Sequence, residues 1–525
     1  MFIEQLWEDW LARELVNYKE VNNPYGVTVR KYLKKGYLHF DNRFWLPSRD
    51  KELKNILTNG LRIYSKSHKN MEWWAFDPFV KILLKTPRYK YQNEKGYYDL
   101  ETKVRPICFA SHLDSLIFSY YSYYLTKEYE KYIKGQGFDT CVLAYRSDLE
   151  KSNIQFSKEV FDIIKAKGEC SAVALDIKGY FDHIDHNILK AKWSKVIGHK
   201  LPDDQLKIYK ALTRYSYVNK HSILKKYQIN LRKLRKQRNS PNTLLDIIPG
   251  VKDFEKYQQL RKDRLIITNN KPGKNGAFIG IPQGSPLSAV LSNIFLIDYD
   301  EEMTLKGQKE GFIYRRYCDD LLFVCDKGKE AELQEFAIRK IKNEYRLTIQ
   351  QSKVDIISFL PNSKGFLRGF NKVKMLKNNI IEVTEKNERW LYKPLQYLGF
   401  EFDGQDVRIR SSSLSRYFRK MKSRIVKTIS MAYSEKSKSD VIFKYKLYNL
   451  YTHIGKRNFL TYAYNASQVK YRNKNEIEKE GFGSPAIRKQ ISRHFAILRN
   501  TFHKKNEQRF NWKSKKPNSK VKKKV

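Results

Sequence analysis

The chain has 525 residues, enough for roughly two to four domains, and its hydrophobic fraction of 41% with 14% aromatics is ample for a packed core. Its 102 Lys and Arg against 56 Asp and Glu leave a formal charge of +46, a self-repulsion most easily tolerated beside a polyanion. No apolar run approaches the roughly 20 residues that a helical membrane span needs, so nucleic acid leads as the partner class and an anionic membrane surface comes second.

The five cysteines, Cys108, Cys141, Cys170, Cys318 and Cys325, are scattered and odd in number, which fits neither a disulfide framework nor a zinc ribbon. His183 and His186 sit three apart near acids, but no further Cys or His completes a ligand set, and they read as structural or substrate-adjacent. The first nine residues carry Glu4, Glu8 and Asp9 where a signal or transit peptide carries bases, so the expectation is a cytoplasmic protein without membrane contact.

In chain order, residues 1–85 read as a helical, aromatic extension. Leu6, Trp10, Leu11 and Leu15 share one helical face, a packing face first and an oligomer contact second. Residues 86–110 hold two basic, β-prone segments around a turn at Gly96. Residues 113–125 and 160–167 read as helices, the second followed by Gly168. Residues 171–176 are a short apolar run, a buried strand ending in Asp176, followed by a turn and a helix from about Asn187. A long polar interval occupies 192–275. Within it, Lys225, Lys226, Arg232, Lys233, Arg235, Lys236 and Arg238 form a basic run without an acid, either a solvated helix or a phosphate-binding one.

Gly284-Ser285-Pro286 then punctuates a turn, and residues 287–300 read as one helix with Pro286 in its first turn. Residues 312–326 are two apolar, aromatic arms around Cys318-Asp319-Asp320, a β-hairpin with adjacent carboxylates at its tip. A helix over about 329–345 leads to Lys353, and residues 396–402 look like a further turn of sheet. Residues 406–510 are helical and very basic. Residues 511–525 are a lysine-rich tail expected to be disordered until it meets a polyanion.

On its own the hairpin tip is an ordinary Asp-rich turn. Two carboxylates fixed side by side, however, repel unless a cation sits between them, and hard oxygen donors suit Mg2+. If the hairpin pairs with the strand that ends in Asp176, three carboxylates meet at one sheet edge. That arrangement holds two metal ions about 4 Å apart for in-line phosphoryl transfer.

The ordered set Asp176-Ile177-Lys178-Gly179-Tyr180-Phe181, Pro282-Gln283-Gly284-Ser285-Pro286-Leu287-Ser288, Tyr317-Cys318-Asp319-Asp320, Lys353 and Leu398-Gly399 resembles that of reverse transcriptases, in the bacterial branch related to group II intron and retron enzymes. The resemblance covers about 86–405 well and the following helical region loosely. It implies an α/β right-hand polymerase: fingers and a ferredoxin-like palm over 86–405, with 192–275 as a basic insert, and a helical thumb over 406–510. It implies RNA-directed DNA synthesis from dNTPs with two Mg2+ ions, Mn2+ being the substitute.

Residue by residue, the resemblance makes Asp176, Asp319 and Asp320 the metal ligands, helped by the Ile177 carbonyl. Phe181 matches the gate that rejects a ribose 2′-hydroxyl. Gln283 and Gly284 match the loop against the incoming nucleotide and template, and Lys103 and Arg105 the basic fingers residues that hold the triphosphate. Lys353 matches the lysine that protonates pyrophosphate, Cys318 lies where the primer end approaches, and Leu398-Gly399 resembles the primer grip.

No H-N-H nuclease pattern, zinc-finger cysteines or retron signature elements are found, while the interval between Asp176 and Gln283 is long and an N-terminal region is added. These features look more like the domesticated, defence-associated or abortive-infection reverse transcriptases. The expected partners are a dedicated structured RNA, the DNA product and dNTPs, with homo-oligomerisation left open. Two further readings stay open. One is template-independent or protein-primed DNA synthesis by the same palm, which 36 tyrosines permit. The other is a catalytically silent, maturase-like RNA-binding scaffold, against which the intact Asp176, Asp319, Asp320 and Gln283 argue.

Overall fold

The computed structural model describes residues 2–514, apart from 23–27, 33–36, 66, 93–96, 231–240, 274–275, 435–440 and 474. Arg232, Lys233, Arg235, the Gly96 turn and residues 515–525 of the lysine tail lie outside the described residues.

The first 85 residues are not the helical extension that their composition suggests. Helices α1 (Glu4–Leu15) and α2 (Leu46–Thr58) alternate with two antiparallel hairpins, β1 (Tyr18–Asn22) with β2 (Thr28–Tyr32), and β3 (Arg62–Ser65) with β4 (Asn70–Trp73). The face of α1 is a packing face: Trp7 and Trp10 are buried, and Leu6, Leu11 and Leu15 lean on the same core. In β3, by contrast, burial alternates with a period of two, Ile63 turning inward and Tyr64 outward. A four-residue strand is too short to announce that period against the helical patterning around it.

β5 (Phe79–Gln92) and β6 (Tyr97–Phe109) form one long antiparallel hairpin, with Val80 opposite Phe109 at its base. α3 (His112–Gly135) and α4 (Asn153–Lys167) lead to β7 (Cys170–Asp176). A single turn, α5 (Tyr180–His183), precedes α6 (His186–Ile197). The polar interval is ordered where it is described, as α7 (Asp203–Thr213), β8 (Ser216–Asn219), α8 (Lys220–Lys226), α9 (Asp253–Lys262) and β9 (Ile266–Thr268). β8 pairs in parallel with β5 and antiparallel with β9, so this insert widens the base of the long hairpin into a four-stranded sheet.

The single helix expected over 287–300 is two, α10 (Pro286–Phe295) and α11 (Ile297–Glu310), broken at Leu296. Leu287, Val290, Leu291, Ile294 and Phe295 are buried around α10 together with the polar Ser288, Ser292 and Asn293, so little of this helix faces solvent. The acidic α11 must reach the surface, and the chain bends between the two. β10 (Ile313–Tyr317) and β11 (Asp320–Cys325) are the expected hairpin. After α12 (Glu330–Tyr345), β12 (Asp355–Pro361) and β13 (Leu367–Asn371) complete a five-stranded antiparallel sheet in the order β10-β11-β7-β12-β13.

Both faces of this sheet are buried. Val173, Leu175, Leu321, Phe323 and Ile356 point into a core shared with α3, α6, α10 and α12. Their neighbours Ala172, Leu322, Val324, Ile357 and Phe359 point into a second core. That second core is closed by a three-stranded sheet, β14 (Leu395–Tyr397), β15 (Phe400–Phe402) and β16 (Val407–Ile409), and by helices from the C-terminal region. This region is helical as its pattern suggests, with α13 (Ser411–Ala432), α14 (Phe459–Ser467), α15 (Pro485–Ile491) and α16 (His494–Ser514) among its helices. A small hairpin, Lys470–Arg472 with Glu478–Glu480, interrupts it. Among the described residues no helix is long and apolar enough to cross a membrane.

Arg316 on β10 and Asp300 on α11 form an ion pair with both side chains fully buried. Arg316 Nε donates to Asp300 Oδ1 at 2.7 Å, Tyr314 Oη donates to the same oxygen at 2.8 Å, and Arg316 Nη1 donates to the Cys318 carbonyl at 3.2 Å. Removing one partner strands a buried charge, which typically costs about 3–5 kcal/mol. Asp300→Ala should therefore lower the urea unfolding midpoint sharply. Replacing both residues by apolar ones of similar volume should recover much of the loss, and equal loss in the single and double variants would contradict this account.

Candidate active site

The register of the central sheet sets Asp320 directly opposite Asp176, and both lie on the face that carries Ala172, Ala174, Leu322 and Val324. Two carboxylates therefore project side by side from one end of the sheet. Asp319 belongs to the turn between β10 and β11, and its carbonyl accepts the Ile177 N–H at 2.9 Å. The Asp176 carbonyl is taken by Gln350 N–H at 2.8 Å, and the Thr348 carbonyl takes Lys178 N–H at 2.8 Å. The backbone carrying Ile177 is thus pinned on both sides at the same sheet end.

Cys318 makes the turn possible by adopting a left-handed conformation, φ 58°. Its sulfur is buried and accepts from Tyr145 Oη at 3.6 Å, so it forms the floor of the turn. Tyr145 is itself held by a built frame. Arg146 donates twice to Glu130, at 2.7 Å each, and once to the Val142 carbonyl at 2.9 Å, while Leu143 N–H bonds to the Arg316 carbonyl at 2.9 Å.

The electrostatics are those of crowded acids. Burial, then Asp319 and Asp176, push the Asp320 carboxyl up to about 7; burial, then Asp176, raise that of Asp319. Asp320 is crowded from beneath by the sheet but open to solvent on its outer side, and the water there tempers the repulsion. Lys353 Nζ sits 2.6 Å from Asp176 Oδ1, the one cation held directly on this group among the described residues. Among those residues no three His, Cys, Asp or Glu side chains converge tightly enough to cage an ion by themselves. Mg2+ is usually bound through one or two carboxylates plus substrate phosphates and water, so Asp176 and Asp320, paired in register, with Asp319 in the turn would hold such an ion together with water and a substrate. The raised carboxyls of Asp319 and Asp320 are what a bound cation would relieve.

The other expected site residues gather around this end. Phe181, half-buried, follows Tyr180 on α5, and its carbonyl accepts Ile281 N–H at 2.9 Å, which ties it to the loop at 282–284. The Gln283 carbonyl accepts Cys108 N–H at 2.8 Å. Gly284 has φ +116°, and a Cβ there would lie 2.7 Å from the Cys108 carbonyl and 3.1 Å from Ile107. Lys103 and Arg105 alternate with Ile107 along β6, so they stand on the strand face that Ile107 presents to the loop. Leu398 and Gly399, φ 44° and 98°, make the two-residue turn between β14 and β15, with both central residues left-handed. The adjoining Tyr397 is within electrostatic reach of Asp320. Lys225 and Lys226 stand apart on α8; Lys225 is exposed, and Lys226 is paired with Asp263 at 3.3 Å, an acid that the linear run did not reveal.

Residues 242–402 match the model of the reverse transcriptase (RNA-dependent DNA polymerase) family. The chain carries a reverse transcriptase domain. It is similar to the retron Ec83 reverse transcriptase of Escherichia coli, 27% identical over 129 residues, 23% of this chain and 38% of that protein. The matched part is thus well under half of that relative. Among solved structures it is similar to apo telomerase from Candida tropicalis truncated from the C-terminal domain, at TM-score 0.36 and 9% identity, over 76% of this chain and 65% of that one. A second is telomerase from Candida albicans in complex with a TWJ fragment of telomeric RNA, at TM-score 0.33 and 12% identity, over 78% and 57%. Asp176 lies outside the matched stretch and joins Asp320 through the register of β7 with β11.

Sequence reasoning missed Arg316, Asp300 and Tyr145. A signal for the first was present: an arginine at an inward position of an alternating strand must be paired in the core. Tyr145 had none, because its left-handed φ of 63° is set by distant partners.

A carboxyl raised to about 7 in the folded chain, against about 3.9 unfolded, keeps its proton longer when folded. Its burden on stability is absent below about pH 4, grows as pH rises, and is complete above about pH 7. In chelator, Asp320→Asn should thus raise the melting temperature at pH 8 and make little difference at pH 4. Added Mg2+ should stabilise the unaltered chain at pH 8 and the Asp319→Asn, Asp320→Asn variant much less. Thermal melts at the two pH values check both statements, and an equal Mg2+ response in the two proteins would remove these carboxylates as ligands.

Proposed function

We propose that the chain is an RNA-directed DNA polymerase that adds dNTPs to a 3′-hydroxyl. The observation that carries this reading is the pairing of Asp176 with Asp320 at the palm's end, with Asp319 in the adjoining turn, in a chain with a reverse transcriptase domain. Two divalent ions bound there would activate the attacking hydroxyl and steady the departing pyrophosphate.

The protein's own part is positioning and charge. Asp176, Asp319 and Asp320 supply the negative oxygens, and the pinned backbone at Ile177 offers a carbonyl beside them. Lys353, which contacts Asp176, would give a proton to pyrophosphate. Phe181 would exclude a 2′-hydroxyl, with its backbone tied to the Gln283-Gly284 loop that faces the nucleotide. Lys103 and Arg105 would hold the triphosphate from the fingers hairpin, the primer end would rest over Cys318, and the Leu398-Gly399 turn would grip the strand behind it. In this reading β5 and β6 belong to the fingers, and the helices after residue 410 form the thumb.

The template we propose is a structured RNA, and the excess of basic residues supports that choice. A role in antiphage defence is supported by the resemblance of the long insert and the added N-terminal unit to domesticated bacterial reverse transcriptases.

Purified protein given dNTPs and Mg2+ should make DNA, and Asp319→Asn with Asp320→Asn should reduce incorporation at least a thousandfold while RNA affinity changes little. Undiminished synthesis by that variant would defeat the metal assignment. Product that survives RNase treatment of the template, with unchanged sequence, would turn the reading to untemplated synthesis. Phe181→Ala should admit ribonucleotides, read as alkali-labile product; unchanged discrimination would leave Phe181 a packing residue only.

A further inference from the structure

The outer face of the β3–β4 hairpin plays no part in the site above. Its inner face is anchored: Ile63 packs on the core, and Trp74, just past β4, donates its indole N–H to Asp114 at 2.8 Å. The register sets Arg62 opposite Trp73 and Tyr64 opposite Met71, which brings these four side chains to the opposite face. They stand in solvent, Tyr64 62% exposed, Met71 48% and Trp73 37%.

α7 lines this face with cations. The Arg62 guanidinium lies 4.5 Å from the centre of the Trp73 ring, and Lys207 Nζ lies 5.8 Å from it. Lys210 follows Lys207 along the same helical face. Arg62 has an acid, Asp203, 3.8 Å away. Lys207 has none within ion-pair distance among the described residues; partial burial and the charge of Lys210 both press its ammonium toward losing a proton. Exposed rings beside neighbouring cations match a ligand that brings both flat faces and negative charge.

We propose that this face binds single-stranded nucleic acid, with unpaired bases stacking on Trp73 and Tyr64 and phosphates against Arg62, Lys207 and Lys210. Single strands are specified because a ring standing on a strand face can stack only on a base that is free of its duplex neighbours. The site lies outside the palm and needs no chemistry there, so its test stands apart from that of the polymerase.

The full chain without dNTPs, titrated into a fluorescent unstructured oligouridylate at raised salt, gives the reference affinity by anisotropy. Tyr64→Ala with Trp73→Ala should weaken it about tenfold or more, and Tyr64→Phe with Trp73→Phe should keep it. Lys207→Ala with Lys210→Ala should reduce the steepness of the salt dependence by between about one and two. A 4-thiouridine oligonucleotide should crosslink within 62–73, read by mass spectrometry. Unchanged affinity and salt slope in the alanine variants, or crosslinks found only elsewhere, would overturn the proposal. So would a change in sedimentation with unaltered oligonucleotide affinity, which would make the face a protein contact. Matching circular dichroism of the phenylalanine and alanine pairs separates lost stacking from lost folding.

Discussion

A guanidinium and a carboxylate out of reach of water govern the geometry of the central five-stranded sheet. Arg316 and Asp300 each pay a large desolvation penalty, offset by a two-point ion pair and by Tyr314. The pair joins β10 to α11. Arg316 Nη1 also reaches Asn293 on α10 at 3.4 Å, and the Asn293 amide donates to the Ala144 carbonyl at 2.9 Å. The same Nη1 also donates to the Cys318 carbonyl at 3.2 Å. The tight turn that exposes Asp319 and Asp320 is therefore determined from beneath by four separate segments, which lets a cysteine remain in a left-handed conformation.

What this frame holds in place is a cluster of like charges. A chain selected for stability alone would not set Asp176 across from Asp320 with Asp319 alongside, and the raised carboxyl pKa values of Asp319 and Asp320 reflect the conflict. The conflict is tolerated because β7 and β11 are buried on both faces and cannot part without opening two cores. Lys353 supplies a partial answer from within the chain, and a divalent cation bound there would supply a stronger one.

Much of the central sheet was legible in the sequence because its signals are local. The strand ending in Asp176, the hairpin around Cys318-Asp319-Asp320 and the Gly284 turn each announce themselves within about ten residues, and their expected pairing is the register found. The N-terminal unit was misread because its short strands lie among amphipathic helices. The break at Leu296 was missed because nothing in a continuous apolar-to-acidic run marks where burial must give way to solvent. Tyr145, Lys226 and the frame around Arg316 depend on partners far away in the chain, Cys318, Asp263 and Asp300, which no window around them contains. For Lys226 the error was one of sign: a run without acids in sequence met an acid in space.

The seam between the long hairpin and the nucleotide loop has a mechanical meaning. Cys108 N–H bonds to the Gln283 carbonyl, and Gly284 lies so close to the Cys108 carbonyl that one methyl group cannot be inserted. A joint this tight does not slide. Any swing of the hairpin carries the Gln283-Gly284 loop with it, and through the Ile281 to Phe181 bond it tugs at the residue beside Tyr180. In the function proposed above, grasping a nucleotide from above and seating it from the side would become one degree of freedom.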